Sequence, residues 1–304
     1  MSCSLKIMDN QEEKHIVYND TDSVYMTIQS IIDKYKLNFY NEDKTGVNPK
    51  VINLCQKIED KLNKSIKQWG EDELNSKDCR FQFKMEVIAD KGLFIAKKNY
   101  VVHKYYDEGF DVTEEKKRWK YTGIKLVSAS MPERMKPLVE KILHKIVLTG
   151  DKNLSDEEYV KAYEDFEKYQ YDDIALIKAI NKFDEYVGRC DGWNTGKGML
   201  AHYRGSYYNI KLLDDLGLDS KYQMIRQGDK VKSLYIQSSN KYGLDVISYV
   251  DNYPEEFKEL FVVDNQIMFE KCIKDIVKQF YDALKWNIFS PNYQPMVNID
   301  DFFA

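Results

Sequence analysis

Tyr18-Asn19-Asp20-Thr21-Asp22-Ser23-Val24-Tyr25 sets two aspartates, two residues apart, between the β-prone runs His15–Tyr18 and Ser23–Thr27. Polar turn-forming residues between two such runs predict a strand, a tight acidic turn and a returning strand. On extended backbone the i, i+2 spacing puts both carboxylates on one side of the ribbon. Hard divalent cations such as Mg2+ take oxygen ligands and share them with phosphate. Two such ions about 4 Å apart activate an attacking hydroxyl and stabilise a leaving pyrophosphate. A close pair of aspartates at a hairpin tip suits that task, although D-x-D is also ordinary turn chemistry. Two other sites fail on residue type. An EF-hand loop starting at Asp20 would need an oxygen ligand at Val24, a glycine at Tyr25 and a glutamate at Ile31. Residues 192–198 mimic a phosphate loop, but the glycine spacing is one short and Gly198 stands where Ser or Thr is required.

Downstream, apolar Val51, Leu54, Ile58, Leu62 and Ile66 recur at helical spacing and predict a helix over about 48–69. Three β-rich segments follow, FQFKMEVIA, GLFIAKKNYVVHKYY and RWKYTGIKLVSA, giving a small mixed sheet with a covering helix up to about residue 128. Past Pro132 the pattern turns mostly helical. Residues 133–148 are amphipathic. Ser155 is expected to open a second helix through a capping box with Glu158, with an apolar stripe through Val160, Tyr163 and Phe166. Glycines break the chain at 188–198, and 200–250 reads as polar and β-like. Asp264 is the expected N-cap of a helix over about 264–285. The end, SPNYQPMVNIDDFFA, lacks helical periodicity and reads as an exposed tail. The fold class is α+β.

The bulk numbers narrow the function classes. A chain of 304 residues holds about two domains, and 43% apolar with 31% charged residues argues against wholesale disorder. No apolar run is long enough to span a bilayer and no signal-peptide core follows Met1, so a soluble, cytoplasmic protein without a membrane partner is expected. The cysteines Cys3, Cys55, Cys79, Cys190 and Cys272 are scattered, without a C-x-x-C pair, which fits neither a disulfide framework nor a structural zinc site. The net charge of −5 does not exclude nucleic acid, because duplex binding needs only a local basic stripe. Lys116, Lys117, Arg118 and Lys120 form one such cluster.

The octapeptide resembles the palm signature Y-G-D-T-D-S of B-family DNA polymerases, with Asn19 in place of glycine. Asparagine tolerates left-handed turn geometry, so the departure is discounted. In that family a lysine-x-tyrosine element follows on a later strand, and Lys97-Lys98-Asn99-Tyr100 is similar to its K-K-R-Y version. The resemblance implies that Lys97, Lys98 and Tyr100 hold the primer end through minor-groove acceptors that every base pair presents. It implies Asp20 and Asp22 as catalytic, metal-binding residues, with Glu86 beside the metals and two Mg2+ ions as cofactors. Ser128-Ala129-Ser130-Met131-Pro132 looks like the palm-to-thumb junction. His202-Tyr203-Arg204-Gly205-Ser206-Tyr207-Tyr208-Asn209 is similar to a thumb element of the T-even bacteriophage branch, making Arg204 and Lys197 candidates for duplex phosphate contacts. Near the end, Ile299 three residues before Phe302-Phe303 resembles a peptide that grips sliding clamps. The chain is thus read as the C-terminal part of a palm over 1–128, a thumb over 129–290 and a clamp-binding tail over 291–304.

A B-family polymerase also carries D-x-x-S-L-Y-P, with another metal-binding aspartate, and K-x-x-x-N-S-x-Y-G, which grips the incoming deoxynucleoside triphosphate. Neither occurs in this sequence, nor do the exonuclease carboxylates. The expectation is therefore a naturally split DNA polymerase in the host bacterial cytoplasm. This chain would meet primer-template DNA, dNTP, a sliding clamp and an N-terminal polymerase chain with exonuclease, fingers and the rest of the palm. Two alternatives stand beside it: a catalytically inactive DNA- and clamp-binding adaptor derived from a polymerase, and an unrelated metal-dependent nuclease.

Overall fold

The computed structural model describes residues 15–76, 78–195 and 198–289. They fall into two compact units, divided between Gly123 and Ile124. The class is α+β as expected, and all described strand pairs are antiparallel. No described helix is long and apolar enough to cross a membrane.

The first unit opens with the acidic hairpin, β1 (Ile16–Asp20) and β2 (Ser23–Met26), followed by the short helix α1 (Gln29–Lys34) and the long helix α2 (Pro49–Asp72). Pro49 at the first helical position and the Asn48 side chain, which accepts the Lys50 amide at 2.9 Å, start α2 where the sequence places it. Val51 and Leu62 of its apolar stripe are buried. A second hairpin follows, β3 (Val87–Ala96) and β4 (Asn99–Asp107), extended by β5 (Phe110–Asp111) and, after the single turn α3 (Glu115–Arg118), by β6 (Trp119–Thr122) on β4. Ile32, Val47, Val51, Ile88, Tyr105 and Tyr106 form a core between helices and sheet.

The β-rich run GLFIAKKNYVVHKYY is a hairpin that turns at Lys97-Lys98, whereas FQFKME, read as β-rich, is not a strand at all. Side chains of α2 take its backbone groups instead. The Asn63 amide donates to the Phe83 carbonyl at 2.9 Å and accepts the Phe83 N–H at 2.6 Å, while Glu59 accepts the Met85 N–H at 2.7 Å. A planar amide thus stands in for a strand neighbour. Asn63→Ala leaves both Phe83 groups unpartnered in a half-buried place and should cost about 2 kcal/mol in urea unfolding. The basic cluster is also partly consumed. Arg118 is buried, donating to the Val112 carbonyl at 2.9 Å and to the Thr45 carbonyl at 3.0 Å, with its guanidinium over the Tyr105 ring.

The second unit packs α4 (Lys136–Thr149) on α5 (Lys152–Phe166), then runs through α6 (Tyr171–Ile174), β7 (Leu176–Ala179), α7 (Phe183–Val187) and α8 (Ala201–Asp215). β8 (Lys230–Tyr235) and β9 (Val246–Tyr249) complete a sheet of order β7-β8-β9. α9 (Glu255–Leu260) leads to α10 (Asn265–Phe269) and α11 (Asp275–Ala283), joined by a π turn over Glu270–Lys274. Asp264 caps α10 as expected, accepting the Ile267 amide at 3.0 Å. Lys125 donates to the Lys271 carbonyl in the π turn at 2.7 Å, and burial pushes its pKa down.

Ser155 does not open α5. Asp151 is the N-cap, accepting Asn153 and Leu154 amides at 2.8 and 3.2 Å, and Ser155 lies inside the helix with its hydroxyl on the Asp151 carbonyl. The buried stripe is accordingly Ser155, Tyr159, Ala162 and Phe166 rather than Val160, Tyr163 and Phe166. The reading of 200–250 as polar and β-like missed α8 altogether. Its residues Tyr203, Gly205, Ser206, Tyr208 and Asn209 are buried. Gly205 lets α8 meet β9 closely: a Cβ there would stand 2.4 Å from the Ser248 hydroxyl and 2.9 Å from its amide nitrogen.

Candidate active site

Asp20 ends β1 and pairs with Ser23 at the start of β2, so Thr21 and Asp22 form a two-residue turn. Thr21 takes the left-handed conformation, φ 44°, while Asn19 lies in β1 opposite Val24. The replacement of the family glycine by Asn19 therefore needs no left-handed tolerance. The strand-alternation argument also lapses, because Asp22 is a turn residue rather than the next-but-one residue of a strand.

The two acids differ in surroundings. The Asp20 side chain is 16% exposed; its Oδ2 lies 3.3 Å from Lys98 Nζ, and Oδ1 accepts the Thr21 hydroxyl at 3.3 Å. Asp22 is exposed and has no hydrogen bond or ion pair among the described residues.

Lys98 comes from the turn of the second hairpin and is itself left-handed, φ 56°. Its amide donates to the Tyr18 hydroxyl at 2.8 Å. Below the two turns, Tyr18, Tyr25, Phe94 and Tyr100 form one aromatic cluster. Tyr18 stacks on Phe94 at 5.5 Å between centroids, Tyr25 meets Phe94 at 5.0 Å, and Phe94 meets Tyr100 at 4.9 Å. Tyr25 and Tyr100 share a hydrogen bond of 3.2 Å between their hydroxyls. Burial first, then that hydrogen bond, raises the Tyr25 pKa well above the usual tyrosine range, so it stays a neutral hydroxyl. The two motifs, some eighty residues apart in sequence, thus meet as neighbouring hairpin tips, an acidic turn against a lysine turn.

Two phage proteins named DNA-directed DNA polymerase are similar to this chain. That of Enterobacteria phage T4 is 24% identical over 279 residues, which cover 88% of this chain and 30% of the relative. That of Escherichia phage RB69 is 22% identical over 314 residues, which cover 98% of this chain and 33% of the relative. The chain is related to phage DNA polymerases. It spans about a third of the length of these relatives. No family model matches it.

Against that relationship the remaining candidates sort as follows. Lys97 is exposed at its turn. Tyr100 is only 7% exposed, beneath Phe94 and Tyr25, so it supports the lysine turn from within rather than offering a surface. Glu86 is exposed just before β3, near enough to Tyr25 for its charge to act on that hydroxyl. Arg204, on α8, is an ion-pair partner of Asp245 and donates to the Met199 carbonyl at 2.6 Å, which engages it within its own unit. Lys197 and the clamp-peptide residues Ile299, Phe302 and Phe303 lie outside the described residues.

Carboxylate oxygens are the right donors for Mg2+. Their number falls short: among the described residues no group of three or more His, Cys, Asp or Glu side chains converges to hold a metal, so Asp20, Asp22 and Glu86 do not make a closed triad. Asp20 and Asp22 are two carboxylates of one turn, with Glu86 not gathered to them. Sequence reasoning overlooked Tyr18, Tyr25 and Phe94 as the parts that join the hairpins. The available signal was an aromatic residue on each flank of the acidic turn and another six residues before Tyr100.

Proposed function

We propose that this chain is one part of a DNA-directed DNA polymerase. It contributes Asp20 and Asp22 to a two-Mg2+ site, grips the primer-template duplex through Lys97 and Lys98, and binds a sliding clamp through Ile299, Phe302 and Phe303. A second chain supplies the other catalytic aspartate, the dNTP-binding fingers and the exonuclease. The observation that carries this reading is the meeting of the acidic turn with the Lys97-Lys98 turn over the shared aromatic cluster. Lysine ammonium groups there would donate to the purine N3 and pyrimidine O2 acceptors common to all base pairs, sensing the shape of the primer end. When bound, the ions would supply charge for an attacking 3′-hydroxyl and a leaving pyrophosphate. Asp20 and Asp22 would hold them, and the aromatic cluster would pack the two hairpins together beneath their turns.

The test is to isolate the chain with its bound proteins from infected cells, identify these by mass spectrometry, and assay primer extension with Mg2+ and with a chelator. Extension by the mixture, with none by this chain alone, is expected. Extension by the isolated chain would refute the division of the site. Duplex and clamp binding without extension would favour the inactive adaptor.

A further inference from the structure

Both hairpins carry a register irregularity just below the turn. In the first, Ile16 pairs with Met26 but Tyr18 pairs with Tyr25, so Val17 is the extra residue. In the second, Ala96 pairs with Asn99 but Phe94 pairs with Tyr100, so Ile95 is the extra residue. A bulge re-aims the side chains beside it. In the second hairpin the bulge brings Phe94 directly opposite Tyr100; in the first the two-residue turn itself sets Tyr18 across from Tyr25, with the bulge beyond that pair, and the two cross-strand pairs mesh with one another. A regular register continued from the Ala96–Asn99 pair would instead set Phe94 against Val101.

The ring pairs join the hairpins. One polar contact ties the turns themselves. The Lys98 amide, in a left-handed turn that no glycine or asparagine eases, finds the Tyr18 hydroxyl at 2.8 Å. On the other side, the Lys98 carbonyl packs against Gly123, where a Cβ would stand 1.8 Å from the oxygen. Lys98 is therefore hydrogen-bonded on its amide side and close-packed on its carbonyl side, and its ammonium stands 3.3 Å from Asp20.

We infer that Tyr18 is a positioning residue: by accepting the Lys98 amide, its hydroxyl fixes the Lys97-Lys98 turn in register with the acidic turn. The consequence for primer binding rests on the polymerase reading; the coupling of the two turns does not. The Tyr18 ring alone, stacked on Phe94, cannot do this, because stacking restricts the ring plane and leaves the Lys98 peptide free to rotate.

Tyr18→Phe retains the ring and removes the contact. Amide hydrogen exchange of the full chain, read residue by residue, is expected to find Lys98 protected in the native protein and roughly tenfold or more faster in Tyr18→Phe. Tyr25→Phe, which removes a neighbouring hydroxyl that does not touch Lys98, should leave the Lys98 amide unchanged. In primer-template binding, Lys98→Met should weaken affinity, and Tyr18→Phe alone should reproduce a large share of that loss, so that the double variant is little weaker than Lys98→Met. Unprotected Lys98 in the native chain, unaltered exchange in Tyr18→Phe, or losses that simply multiply in the double variant would each overturn the inference. The first of these needs no variant to fold. If the native chain binds no duplex and Lys98→Met changes nothing, the polymerase reading fails while the exchange measurement still decides the coupling.

Discussion

On the proposed polymerase role, Asp22→Asn is expected to slow magnesium-dependent nucleotide addition by this chain with its partner at least about a thousand-fold, roughly 4 kcal/mol on the barrier, without altering assembly or duplex affinity. The asymmetry of the acid pair gives the reason. Asp22 is exposed at the turn and has no intramolecular hydrogen bond or ion pair among the described residues, so an amide of the same shape removes charge, and on the proposed reading a metal ligand, and little else. Thr21, not Asp22, carries the left-handed strain of the turn. Asp20→Asn is a less clean experiment. It also takes away the partner of Lys98 from a carboxylate only 16% exposed, so it perturbs the lysine turn together with any metal. Single-turnover primer extension across a Mg2+ titration, with the unfolding midpoint measured alongside, checks the prediction. A loss under about tenfold at saturating Mg2+ would remove Asp22 from the ligand set.

That asymmetry was not legible in the sequence, although the acidic hairpin was. The octapeptide announces itself through its own chemistry: β-forming flanks around four polar residues leave few alternatives to a tight turn, and strands appear on both sides. α2 was equally plain, because its apolar stripe and its Asn48-Pro49 start agree. What failed were features that depend on partners distant in the chain. Lys97-Lys98 contains no turn-forming residue, so the hairpin there is set by the Tyr18 hydroxyl and the close approach of Gly123, both supplied from other segments. FQFKME has strand-like alternation, yet Asn63 and Glu59 of α2 take its backbone groups. α8 was hidden because Gly205 and the aromatic residues around it have low helix propensity, and what holds the helix is burial against β9. Ser155 misled for a local reason: Asp151, four residues earlier, is also a good cap and competes for the same helix start. Among the proposed site residues, Asp20, Asp22, Lys97 and Lys98 could be named as candidates from the sequence. Their mutual arrangement depends on contacts between two hairpins some eighty residues apart, which no periodicity announces.

Gly123→Ala should destabilise the first unit by about 3 kcal/mol or more, or else drive the Lys97-Lys98 turn out of place. Two effects add. Gly123 sits at φ 69°, where a side chain costs about 1 kcal/mol from backbone conformation alone. The added Cβ would also stand 1.8 Å from the Lys98 carbonyl oxygen and 2.9 Å from its carbon, and these are backbone atoms that no rotamer change can move. Gly150 separates the two effects. It caps α4 at φ 61° with nothing within 4 Å of its Cβ position, so Gly150→Ala should cost only the conformational part, about 1 kcal/mol. Urea unfolding of both variants, followed by tryptophan fluorescence, measures the difference; Trp119 lies four residues from Gly123 on β6. The route of relaxation matters as much as the size of the loss. If the chain gives way at Lys98, its amide leaves Tyr18 and its ammonium leaves Asp20, so Gly123→Ala would weaken primer-template binding about as much as Lys98→Met even at temperatures where the variant is folded. If it gives way at Gly123 instead, β6 shifts on β4 and duplex binding survives in a less stable protein. The two variants compared at equal fractions folded distinguish these outcomes, and only the first makes the glycine part of the machinery that sets the lysine against the acid.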